Sequence, residues 1–263
     1  MDFYFNNAGG NNDFTTLANW WEDAGFSVPA SVVPEVNDNI HIYEDMQTGA
    51  AAVVANATFY NGKSFGNGGA TLRATSTITF NGNGGGGNNG TLYANTFVFS
   101  GTSGNNGNIS GPGDTPVAGG ISFQDTAIQS GIVIGNPTFF NSSEMAGGEV
   151  TGNAIFAQTS KLTNGAVHGT AEFANNAYMI GSGHVDGDIT FGGSSQWYSG
   201  STNGRLKMRG NATIGSSPNV FEFEGEADDD TVVDTKTGGS RIVVLGGPFG
   251  GGGVNPRVFG VEV

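Results

Sequence analysis

The chain has no cysteine among its 263 residues. That excludes disulfide staples, thiolate metal sites and cysteine nucleophiles, so stability must come from hydrogen-bond ladders and packed side chains. Cations are scarce too: 9 Lys plus Arg stand against 23 Asp plus Glu, a formal charge of −14. Neutralising nucleic-acid phosphates needs a basic surface, which this composition cannot build. No uninterrupted apolar run approaches the ~18 residues of a membrane-crossing helix, so no membrane partner is expected. The opening, MDFYFNNAGG, lacks a basic stretch followed by an apolar one, so no export signal is expected either.

Glycine, in contrast, is plentiful at 47 residues, and 19 Phe accompany it. Glycine loses more conformational freedom on being fixed than any other residue, so this much of it answers a repeated geometric demand. The phenylalanines argue for buried apolar surface, which unstructured low-complexity sequence lacks.

The demand is a repeat. GNPTF, GNAIF, GTAEF, GDITF and GNATI begin at Gly135, Gly152, Gly169, Gly187 and Gly210, with GGISF upstream at Gly119. Their apolar ends are Phe123, Phe139, Phe156, Phe173, Phe191 and Ile214, at steps of 16, 17, 17, 18 and 23 residues. A second column precedes each glycine by two: Val117, Val133, Val150, Val167, Val185 and Met208. A third follows the aromatic by six: Met145, Leu162, Met179 and Trp197. Three apolar positions per repeat predict an all-β fold, a three-sided β-solenoid of about 17-residue coils, with like residues stacked at roughly 4.8 Å. Gly, Asn and Asp at the corners suit backbone with positive φ.

The step of 23 predicts a looped insertion at residues 197–205. Upstream, NATF, TITF and NTFVF end at Phe59, Phe80 and Phe99. There GNGGGGNNG and GTSGNNGNISGPG read as looped corners of wider coils, the alternative being a separate β-sandwich. The solenoid is thus expected over 46–215, irregular to about 116 and regular after.

The ends differ. Residues 1–45 read as an N-terminal cap or anchor with a short helix over TTLANWWEDAG, capped by Asp13 and ended by Gly25. A solenoid's open edge needs such a cover. Residues 216–263 read as a strand-rich, Gly-rich C-terminal β cap containing RIVVL and VFGVEV. Interface energy concentrates in aromatic and Arg anchors. These lie at the two ends: Trp20, Trp21 and Phe26 near one, Phe249, Arg257 and Phe259 near the other.

Candidate chemistry is sparse. Asp228, Asp229 and Asp230, beside Glu222, Glu224 and Glu226, form the densest acidic run. They are weak calcium candidates, because neither EF-hand spacing nor a calcium-solenoid repeat is present. Asp186 and Asp188, with Glu149 and Glu172 about a coil away, could make a glycosidase carboxylate pair. These positions hold Asn or Thr in other coils, and a plain corner role accounts for them. His41, His168 and His184 have no metal-ligand spacing. Neither catalytic residue nor cofactor is expected.

The stretch GNAIFAQTSKLTNGAVHGTAEFANNAYMIGSGHVDGDITF resembles the β-helical repeats of phage fibre and virion proteins, and also those of bacterial surface proteins. The opening segment, Asn/Trp-rich, then with prolines and then Asp38, Ile40 and Ile42, is similar to a stretch that often precedes such repeats. The resemblance implies a virion component such as a fibre or capsid decoration, located in the particle, with other virion proteins as partners. It also implies a homo-oligomer, a trimer above all, and a host-surface glycan as a further partner. A bacterial adhesin or carbohydrate-binding module is the alternative, and a polysaccharide-degrading spike a weaker one.

Overall fold

The computed structural model describes residues 1–48, 51–66, 69–82, 84–204, 206–208, 212–214, 240–243 and 259–262. They form an all-β solenoid of about nine coils, roughly 18 residues per turn. The chain divides into two compact units, Met1–Pro137 and Thr138–Val263. Within each, successive coils pair strand on strand in three separate parallel sheets.

In the second unit the aromatic column is continuous. Phe139, Phe156, Phe173 and Phe191 are fully buried and stack nearly parallel at 4.6, 4.7 and 4.6 Å. Beside it run Val150, Val167 and Val185 on one sheet and Met145, Leu162, Met179 and Trp197 on another, all at 0 % exposure. Short strands suffice because each side chain is packed by its equivalents one coil away, the cross-strand pairing that stabilises sheets.

Two assignments at the end of this unit are corrected. Met208 pairs with Phe191 and so continues the aromatic column, not the valine column. Ile214 pairs with Trp197 and so belongs to the third column. The aromatic column therefore steps 17 residues from Phe191 to Met208, and the insertion expected at 197–205 does not exist. The valine position of this coil is Thr202, buried at 1 % and hydrogen-bonded through Oγ1 to the Gly187 carbonyl. A threonine on the valine track and a methionine on the aromatic track hid the register.

The first unit coils in the same way, and its described residues form no separate sandwich. Ile42, Phe59, Phe80, Phe99 and Phe123 are in register, and the Phe rings stack at 4.3, 5.0 and 4.9 Å. The partner of Val133 on its sheet is Ile109, continuing to Leu92 and Leu72. Val117 is thus out of the column. It sits in the 111–119 connection, where its amide donates to the Ile134 carbonyl.

The Gly/Asn-rich segments of this unit supply sides of coils as well as corners. Gly87–Asn88, Thr91–Tyr93, Gly104–Asn105 and Asn108–Ser110 are all strands. The third column here turns polar after the buried Met46 and Phe65: Asn88, Asn105 and Gln129 are each at 0 % exposure. Asn88 Nδ2 donates to Asn105 Oδ1 (2.7 Å), and Asn105 Nδ2 to Gln129 Oε1 (2.8 Å). The ladder ends with Gln129 Nε2 donating to the Gly131 carbonyl (2.7 Å). A buried amide is tolerable only when satisfied, and stacking identical amides satisfies them.

Each rung is followed by glycine two residues on. A Cβ at Gly107 would lie 2.0 Å from the Gly90 carbonyl oxygen, and one at Gly131 2.0 Å from that of Gly107. Close approach, not positive φ, requires glycine at these corners. The other corner does need positive φ. Two residues after each column aromatic, Asn61, Gly82, Gly101 and Asp125 are left-handed in the first unit. Asn141, Gln158, Asn175 and Gly193 are left-handed in the second.

The expected helix at the N-terminus is replaced by one 3-10 turn, Leu17–Asn19, leading into the strand Trp20–Trp21. That strand pairs antiparallel with Asp2–Phe5, which in turn pairs in parallel with Asn39–Ile42. A short isolated helix is marginal, whereas the strand satisfies an otherwise open edge. Asp13 caps no helix; its carboxylate accepts from the Thr15 amide and hydroxyl. At the other end, Ser240–Val243 and Phe259–Glu262 pair antiparallel, matching the strands read from RIVVL and VFGVEV.

Candidate functional site: an aromatic face and a histidine–aspartate cluster

The interior columns are filled, so functional groups have to be sought on the outer faces. Among the described residues one such face is aromatic. Strand alternation sends Phe3, Phe5, Ile40 and Ile42 inward, and Tyr4 and His41 outward. Tyr4 stacks on His41 at 4.9 Å, and Tyr43 on Tyr60 at 4.8 Å. His41 Nδ1 lies 3.1 Å from the Tyr60 hydroxyl. Phe26 stands edge-on to Tyr43 (5.7 Å) and to Trp21 (6.3 Å). All six residues are half-buried. Burial, then the neighbouring Tyr43 and Tyr4, pushes the Tyr60 hydroxyl up; burial, then Asp2, Tyr43 and Asp23, does the same at Tyr4.

Phe26 is placed by a tight turn. The Asp23 carboxylate accepts from the Gly25, Ser27 and Val28 amides and the Ser27 hydroxyl at 2.7–3.1 Å. Those donors, Val28 foremost, hold Asp23 below the usual carboxylate range. Phe26 itself is left-handed at φ 53°. The other left-handed non-glycine residues described are Asn, Asp or Gln, whereas a bulky ring there is an outlier.

The partner-binding residues expected from sequence separate. Trp21 and Phe26 belong to this face. Trp20 does not: it is 1 % exposed, edge-on to Phe5 and Phe14 at 5.1 Å, with Nε1 donating to the Phe14 carbonyl. Alternation along a two-residue strand turns one tryptophan inward and the next outward. Phe249 and Arg257 lie outside the described residues, as do Asp228, Asp229 and Asp230. Phe259 begins the strand Phe259–Glu262. Tyr4, His41, Tyr43 and Tyr60 were missed. Their signal was the alternation in DFYF, NIHIY and NATFY, whose outward members include these rings among polar residues.

A second cluster lies on the valine sheet of the second unit. The Asp186 carboxylate meets His168 Nδ1 at 2.6 Å and His184 Nε2 at 2.8 Å, and His184 Nδ1 meets Ser201 Oγ at 2.7 Å. His168 Nε2 is 3.9 Å from Glu149. The two histidines occupy different ladder positions, as the sequence indicated, yet one carboxylate between coils joins them. The two imidazoles, His168 foremost, hold Asp186 below its ordinary range.

Ser201, His184 and Asp186 are joined in the order nucleophile, base, orienter. Acyl transfer also needs amide donors aimed at a developing oxyanion. Here the Ser201 amide donates to the Gly183 carbonyl and the Asn203 amide to that of Val185, so both are committed to the ladder. Asp188, the other carboxylate of the glycosidase reading, accepts from Lys207 at 3.3 Å. Among the described residues, no group of three or more His, Asp or Glu is arranged to hold a metal ion, and no helix is long and apolar enough to cross a membrane.

No protein family, curated protein or solved structure matches the chain.

Proposed function

We propose that the protein is a structural component of a bacteriophage particle, a tail fibre, appendage or capsid decoration, that displays its solenoid at the host surface. It works without catalysis or cofactor. We read the three sheets as the three sides of each coil, the N-terminal segment as the anchor in the particle, and the C-terminal Gly-rich strand as the contact that holds a trimer. The observation that supports a structural role is the interior. Stacked rings, aliphatic columns and an amide ladder occupy it at near-zero exposure, leaving rigid walls and surface chemistry for function. Such quasi-one-dimensional stacks provide reach and stiffness without a disulfide or a metal.

An adhesin on a bacterial surface is the competing reading, and flat outer walls of Thr, Asn and Ser suit it equally. Location decides between them. Antibody labelling of purified phage particles and mass spectrometry of their proteins are expected to find the chain in stoichiometric amount. Its absence from particles together with presence on intact cells would overturn the virion reading.

A further inference from the structure

We propose that the aromatic face at the N-terminal end binds a cationic segment of a partner protein, whose Arg and Lys side chains lie on its rings and pair with its carboxylates. The proposal deepens the display reading by naming the chemistry of the partner.

Charge is the first argument. The chain carries eight carboxylates and no Lys or Arg before Lys63, and Lys63 is already 2.7 Å from Glu44. Asp2 and Asp23 are close enough to Tyr4 to raise its hydroxyl, so negative charge sits on this face itself. A second copy of the chain would bring like charge against like. A basic segment finds opposite charge, which speeds encounter and fixes register.

Ring chemistry is the second. The faces of Trp and Tyr rings are negative and attract guanidinium or ammonium within about 6 Å of the centroid. The protein uses this pairing elsewhere on its own wall, where the Arg73 guanidinium lies 4.1 Å from the Tyr93 ring centre. On the N-terminal face the rings are assembled and no Lys or Arg is supplied by the surrounding sequence.

The third argument is apolar surface that folding leaves uncovered. Phe26 is held in a strained backbone by the Asp23 turn, yet its ring is only half-buried. Next to it Val28 is 49 % exposed, and Trp21 bridges to Pro29. The aliphatic stems of Arg and Lys cover such surface while their charged heads reach the carboxylates.

The test uses the full chain and three probes: a fluorescent peptide alternating Arg and Ser, the same peptide with Glu for Arg, and neutral oligosaccharides. Binding of the basic peptide alone is expected, weakening as salt is raised. The charge-neutral changes Phe26→Ala and Trp21→Ala are each expected to weaken it about three- to tenfold. Circular dichroism verifies that these variants keep their coils. Removing a charge of the second unit by Glu172→Gln should leave affinity within about twofold.

Three results would overturn the proposal: no binding of the basic peptide, equal weakening by Glu172→Gln and Phe26→Ala, or oligosaccharide binding that Phe26→Ala abolishes. None of these bears on whether the chain is found in particles, so the two readings fail separately.

Discussion

Replacing Asn105 by alanine tests whether the amide ladder holds the first unit together. Asn105 is fully buried, accepting from Asn88 Nδ2 at 2.7 Å and donating to Gln129 Oε1 at 2.8 Å. The substitution removes both bonds and strands one donor and one acceptor in the interior. Each buried orphan costs about 1–3 kcal/mol, so the loss should be about 2–6 kcal/mol. Asn106 is the control: it is exposed and makes one 3.3 Å contact with Asn89, so Asn106→Ala should stay within about 0.5 kcal/mol.

A triple change, Asn88→Leu with Asn105→Leu and Gln129→Met, gives this column the chemistry of Met145, Leu162 and Met179. It orphans the Gly90 amide and the Gly131 carbonyl but no side-chain amide. Its cost should therefore be well below the sum of the three single changes, because residues in one network do not add. The assay is urea unfolding followed by far-ultraviolet circular dichroism and by tryptophan fluorescence. Trp20 and Trp21 report on the first unit and Trp197 on the second. If Asn105→Ala moved the first unit's midpoint no more than Asn106→Ala, the ladder would be incidental.

Phe156→Asp should abolish folding of the second unit, since it puts an unpaired charge between rings at 4.6 and 4.7 Å, while exposed Thr170 should accept Asn; equal melting shifts would refute the column. Gly131→Ala forces a Cβ to 2.0 Å from a backbone oxygen and should destabilise strongly, whereas Gly147, with nothing within 4 Å, should accept alanine without loss. The Asp23 turn has a sign in pH. Its carboxylate titrates below the ordinary 3.8, so its stabilisation is complete above that value and lost as pH falls through the lowered one. Near-ultraviolet dichroism from the Trp21, Phe26 and Tyr43 rings should therefore hold down to about pH 4 and change only in stronger acid, and a change near neutrality would refute the turn. Ser201 should stay unlabelled by a fluorophosphonate probe, and no reducing sugar should be released from host polysaccharide. Labelling lost in His184→Ala, or release lost in Asp186→Asn, would establish an enzyme.

The sequence alone determined the solenoid, because like side chains recur at near-constant spacing and only stacked coils bury such columns. Gly, Asn and Asp at its corners also indicated positive φ, and the structure puts that backbone two residues after each column aromatic, with Gln158 among the residues that adopt it. Register in the last coils was not legible. Thr202 carries no apolar signal and Met208 no aromatic one, and only pairing with Val185 and Phe191 places them. The amide ladder was written in NNG, NNG and QSG, but an asparagine in a Gly-rich stretch reads as a loop until the coil above supplies its partner. For the same reason Trp20 and Trp21 matched a helix face: helix and strand compete locally on near-equal terms, and the open edge of Asp2–Phe5 decided for the strand. The aromatic face and the Asp186 cluster lay furthest from view. Their members come from different coils, and proximity between coils is a property of the stack, not of any one segment.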